Sequence, residues 1–168
     1  MRITTIIVLF GVLLAGTAFA GDNGNGCKLQ GTWLWEMSYP LPGFPDFMLK
    51  FWATYIGTGD NEGAEIVEWI NLPGSPDISY STARGVWKKS GPNEYDYTMI
   101  GFGTDVETGT VFLVQRSSGK KTLTGCNKME ATSVFEFLDP DTMEPMGPPV
   151  DGGSATATRV FLQKPDQP

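Results

Sequence analysis

Any chemistry in this chain has to be done without histidine. Carboxylates remain for acid–base work. Four of them, Glu36, Glu68, Asp96 and Glu136, fall inside runs that alternate as β-strands do. Two carboxyls that meet in an apolar interior acquire displaced pKa values and can act as acid and base. Parity sends two of the four outward: Glu36 lies on the face opposite Trp33, and Asp96 alternates with Tyr95 and Tyr97. Arg84 is read as a surface residue at a strand end, and Asp139-Pro140-Asp141 as a turn. There is no Gly-rich phosphate loop opening a helix, no Cys/His metal set and no nucleophile–base pair. No catalytic residue, metal or cofactor is therefore assigned. The two cysteines, Cys27 and Cys126, are expected to be bridged and not nucleophilic. Such a bridge closes a loop of about 100 residues, with a chain-entropy contribution of at most about 4.7 kcal/mol.

That expectation depends on compartment. Residues 1–20 have the layout of a secretory signal: Arg2, an apolar run from Ile6 to Ala15, and the small-x-small site Ala18-Phe19-Ala20. The run is too short to span a bilayer, which takes about 20 apolar residues. Thr17 stands where a lipidated cysteine would follow Leu14-Ala15-Gly16. The reading is export to the periplasm or beyond, as a soluble protein with no stable membrane insertion after cleavage. Taking residues 1–20 from 168 leaves 148, enough for one domain with a sizeable core. The net charge of −7 becomes −8 once Arg2 is removed, and an acidic surface disfavours nucleic acid and anionic lipid. Oligomeric state is left open.

From Thr32 onward the apolar period is two. Trp33, Trp35 and Met37 share one face, and Phe47, Leu49, Phe51, Ala53 and Tyr55 share the next. Residues 21–28 read as a flexible Gly/Asn leader, 29–164 as one domain and 165–168 as a polar tail. The Pro-rich stretch Tyr39–Asp46 breaks the pattern, and its Leu41 and Phe44 suit a loop folded over a barrel mouth. Further strands are expected at Ala64–Ile70, Ile78–Lys89, Glu94–Phe102, Thr110–Arg116, Lys121–Lys128, Glu130–Leu138 and Ser154–Gln163. Ser117–Lys121 reads as a polar turn, and Ser90-Gly91-Pro92-Asn93 as the connector of the clearest hairpin. Short strands at this spacing, with no helical periodicity, indicate an all-β sandwich or barrel.

Gly31-x-Trp33 at the first strand, with Arg159 on the last, resembles the lipocalin and wider calycin pattern. The run Arg84-Gly85-Val86-Trp87 through Tyr95 and Tyr97 looks like that of small exported bacterial lipocalin-like proteins. The resemblance implies a single antiparallel up-and-down β-barrel of about eight or nine strands. It also implies structural roles for Gly31, Trp33 and Arg159, with Trp33 closing the base and Arg159 packed over its indole. Two features depart from the pattern. No helix follows the last predicted strand, and Asp139–Gly153 is a long Pro/Gly/Met loop. Both leave room for another small barrel, such as the allene oxide cyclase or dirigent type.

Closed barrels of about eight strands are wide enough for one small ligand. Trp35, Phe51, Tyr55, Tyr97, Met99 and Phe137 are the expected ligand-binding wall, with Met37 and Leu113 beside them. Aromatic walls suit an apolar or planar partner, so a small hydrophobic ligand is expected. The alternatives are a barrel cyclase or isomerase that shapes a reactive substrate, and a structural barrel with a filled core.

Overall fold

The computed structural model describes residues 26–38, 48–58, 61–70 and 77–161. The expected signal segment, the Pro-rich stretch 39–46 and the expected polar tail lie outside the described residues. Nine strands occur among them: β1 (Gly31–Ser38), β2 (Met48–Gly57), β3 (Glu62–Trp69), β4 (Ile78–Tyr80), β5 (Ala83–Lys89), β6 (Glu94–Asp105), β7 (Val111–Gly125), β8 (Lys128–Leu138) and β9 (Val150–Arg159). Every pairing is antiparallel. β1 pairs with both β2 and β9, and β6 pairs with both β5 and β7. The ring therefore closes as eight staves, β1-β2-β3-β5-β6-β7-β8-β9, with β4 as a short extra piece on β6. Closure pairs each of the eight staves on both sides. The expected up-and-down barrel is the observed fold.

Several boundaries differ from the sequence reading: β9 begins at Val150, inside the expected loop Asp139–Gly153, and ends at Arg159, not Gln163, and β6 runs on to Asp105. Ile78–Lys89 is divided at Ser81-Thr82 into β4 and β5. Ser81 nevertheless stays on β6: its N–H donates to the Phe102 carbonyl at 2.9 Å, and its Oγ accepts from the Phe102 N–H at 3.0 Å. More consequentially, no turn exists at Ser117–Lys121. β7 is one strand of 15 residues and absorbs two of the expected ones. Gly119 pairs with Tyr97 on one side and Ser133 on the other, so its neighbours satisfy the backbone that the polar composition suggested was exposed.

Alternation decides what lies inside. Trp33, Trp35, Met37, Leu49, Phe51, Tyr55, Val67, Trp87, Tyr97 and Met99 form one buried cluster. Glu36, Glu68, Arg84, Lys88, Asp96 and Lys120 are exposed on the outer face. An outer wall charged in this way is not the apolar band that a lipid-facing barrel needs. No helix among the described residues is long and apolar enough to cross a membrane. Inward tryptophans keep their polar edge satisfied. Trp33 Nε1 donates to the Leu29 carbonyl at 2.9 Å, Trp69 Nε1 to Ser81 at 3.1 Å and Trp87 Nε1 to Ala64 at 3.0 Å. Gly63 faces Trp87 across the β3–β5 pair, and the indole lies where a Cβ would stand.

Cys27 is disulfide-bonded to Cys126, with the two Cα atoms 4.7 Å apart and the residues separated by 99 in sequence. The bridge ties the segment before β1 to the β7–β8 turn. The double substitution Cys27→Ser/Cys126→Ser is expected to lower stability by about 2–4 kcal/mol, read from urea titrations with m fitted for each protein, because an unbridged unfolded chain exposes more surface.

Candidate functional site

The end of the barrel where β1 starts and β9 finishes is sealed. Trp33 has no exposed surface. The Arg159 guanidinium lies 4.4 Å from its ring centre. That fork also donates to three carbonyls: Nε to Cys126 at 2.9 Å, Nη1 to Gln30 at 2.7 Å and Nη2 to Lys28. Gly31 is part of this arrangement. Its φ of +124° suits glycine, and a Cβ there would stand 2.9 Å from Arg159 Nη1. Gly31, Trp33 and Arg159 thus lie in contact at one end of the barrel.

Above this floor the interior is not plain hydrocarbon. Lys121, on the inward face of β7, is 4% exposed, and Glu65, on the inward face of β3, is 1% exposed. Lys121 Nζ donates to Glu65 Oε2 inside the barrel. The same nitrogen lies 3.5 Å from the centre of the Tyr97 ring and 4.8 Å from that of Tyr55. Trp35 Nε1 donates to the Tyr55 hydroxyl at 3.1 Å, and Trp35 stacks on Phe51 with centroids 5.9 Å apart. Among the described residues, two buried polar side-chain atoms, Glu65 Oε1 and Ser117 Oγ, have no hydrogen-bond partner of normal geometry.

Burial sets the electrostatics here. It pushes the Glu65 carboxyl up and the Lys121 amine down, so both are drawn toward their neutral forms, while their mutual attraction opposes this. Burial, helped by the nearby Glu65 charge, raises the Tyr55 hydroxyl well above its ordinary value. It also raises Tyr97, against the lowering effect of the Ser117 and Ser133 hydroxyls. Raised phenols make the barrel alkali-sensitive. The unfolded chain loses these protons from about pH 10, while the folded chain keeps them. The folded state then binds more protons, and stability falls as pH rises. Melting temperature should therefore drop steeply above about pH 10, and Tyr97→Phe should flatten that limb.

Beside the pair is a free volume of about 20 Å³, bordered by Trp35, Met37, Phe51, Tyr97, Met99 and Lys121 on one side. Tyr55, Val67 and the small side chains Ala131, Ser133 and Ala155 complete its wall. Space of that size holds about one water molecule. A second space of about 10 Å³, bordered by Trp69, Tyr80, Gln115 and Ser117, lies on the other side of Met99.

Of the expected wall, Trp35, Phe51, Tyr55, Tyr97 and Met99 are brought together around this space. Phe137 is half-buried and packs against the cluster without bordering it. Leu113 is likewise only half-buried. The four strand carboxylates singled out in the sequence are elsewhere. Glu36 is exposed and pairs with Lys50 at 2.7 Å, and Asp96 is exposed and accepts from Ser90 Oγ at 2.9 Å. Glu68 is exposed, and Glu136 is on the outer face with Arg116 at 2.8 Å. Asp139 is a turn-former: its Oδ1 accepts from the N–H groups of Asp141 and Thr142 at 3.0 and 2.9 Å. The sequence reading missed Glu65 and Lys121. Glu65 shares the parity of Val67 and Trp69, and Lys121 that of Leu123, which is the signal that could have found them. Comparison with protein-family models, curated proteins and solved structures finds no match.

Proposed function

We propose that this chain is an exported, lipocalin-like barrel that binds one small ligand with an apolar or aromatic body in its interior. The observation that carries the reading is the convergence of aromatic walls on a single buried polar centre. Binding sites in barrels are largely apolar, with a few polar groups that fix orientation, and the set Trp35, Phe51, Tyr55, Tyr97 and Lys121–Glu65 has that composition. Met37 and Met99 border the space, and methionine side chains readily repack around a guest. Export is supported by the leader pattern and by the Cys27–Cys126 bridge, since disulfides persist in oxidising compartments.

The small free volume favours a second reading, a structural barrel with a filled core. One experiment separates the two. The protein is purified from its own host for native mass spectrometry, then titrated with planar lipophilic dyes. Binding predicts a bound mass or a saturable fluorescence response, reduced at least tenfold in Ala131→Phe, which fills the free space. An apo mass with no dye response supports the filled barrel.

A further inference from the structure

We propose that Lys121 is the amine of a carbonyl-binding site and forms an imine with a small aldehyde carried on an aromatic body. This rests on the binding reading above and adds covalent chemistry to it. The placement of the amine is the main argument. Lys28, Lys88, Lys89, Lys120 and Lys128 are all exposed, whereas Lys121 is buried. Lys121 borders the free volume with the small side chain of Ala131 beside it as its cross-strand partner, and its Nζ lies 3.5 and 4.8 Å from the centres of two tyrosine rings. A desolvated lysine in an apolar pocket is the usual origin of a nucleophilic amine, because burial disfavours the ammonium.

Glu65 is the second argument. A carboxyl already hydrogen-bonded to the amine can take its proton along the existing bond, leaving a neutral amine beside a carboxylic acid. Its other oxygen, Oε1, is buried and has no hydrogen-bond partner of normal geometry among the described residues. The nitrogen lone pair attacks the aldehyde carbon, and the carbonyl electrons move to oxygen. The nitrogen's proton and the proton on Glu65 end on that oxygen, which leaves as water. Giving up that proton returns Glu65 to the carboxylate, which pairs with the remaining N–H of the imine. The balance is ammonium plus aldehyde giving protonated imine plus water, with no oxidant or reductant. The Tyr55 hydroxyl, fixed by Trp35 Nε1, is neutral at physiological pH and available to orient the departing oxygen.

The test uses the folded, disulfide-bonded protein with benzaldehyde and sodium cyanoborohydride, which reduces an imine to a stable benzylamine. Adducts are mapped by proteolysis and mass spectrometry. The expected result is benzylation of the Lys121 peptide at least tenfold faster than of any exposed lysine. Ala131→Phe should protect Lys121, and unfolding in guanidinium should abolish the preference. Glu65→Gln, which keeps the volume and removes the proton acceptor, should slow the adduct at least tenfold. Modification that follows exposure and spares Lys121 overturns the proposal. If benzaldehyde then still binds, by native mass spectrometry and tryptophan quenching, the imine falls and the binding reading stands. If it neither binds nor reacts, both fall.

Discussion

Lys121→Met destabilises the barrel by about 3–5 kcal/mol at neutral pH, and adding Glu65→Leu restores most of that loss. The size follows from what remains, not from what is removed. The side chain of Glu65 has no exposed surface, so without Lys121 its charge has no buried counterpart and no water. Replacing both partners removes two desolvation costs together with one attraction, and such exchanges are often neutral or stabilising. The pH dependence gives an independent check. In Lys121→Met the Glu65 carboxyl is held above its ordinary value by burial, with no cation to lower it. Between the unfolded pKa of about 4.3 and the folded value, the unfolded chain has released this proton and the folded chain has not. Stability of the variant therefore falls as pH rises through that window, and the destabilisation should be small near pH 4 and full near pH 7. Urea titrations at the two pH values measure it. Equal losses at both would mean that Glu65 reaches water.

The parts of this protein legible in its sequence are those written in a period of two. Trp33, Trp35 and Met37 assign β1 to a face, and Glu36 and Asp96 lie outside as their parity requires. The floor was legible through Gly31, Trp33 and Arg159, and the bridge through the two cysteines. The polar centre was hidden by the same rule. A charged residue in an alternating strand is ordinarily assigned outward, and β3 offers Glu65 and Glu68 on opposite faces. On β7 the inward positions Gln115, Ser117, Gly119 and Lys121 are polar or small, so the strand that carries the site resembles a turn. Composition conceals a strand whenever its inner face serves a polar interior. What resolved it was pairing: β6 and β8 on either side leave the segment only extended geometry. The longest strand of the barrel was therefore the least legible one.

Trp33→Ala lowers the melting temperature by roughly 6–20 °C, from a loss of about 3–5 kcal/mol at about 2–4 °C per kcal/mol for a chain of this size. Three losses act together. The indole is fully buried, so its removal leaves a cavity at the closed end. The Leu29 carbonyl loses its donor, and Leu29 is itself fully buried. Arg159 loses the aromatic face beneath its guanidinium, a contact worth about 0.5–2 kcal/mol. Trp33→Phe keeps a ring under Arg159 but drops the hydrogen bond, and should fall between parent and Ala variant. Trp52→Ala is the control. Trp52 is on the outer face of β2 and 37% exposed, so its loss should stay within about 0.5 kcal/mol. The coupling can be isolated by a double-mutant cycle with Arg159→Met, which removes the charge and keeps an apolar stem. If the two residues act as one closure, the Arg159→Met penalty shrinks in the Trp33→Ala background by about the cation–π contribution. Strict additivity would mean that Arg159 acts through the carbonyls of Lys28, Gln30 and Cys126 alone, with the indole only filling volume.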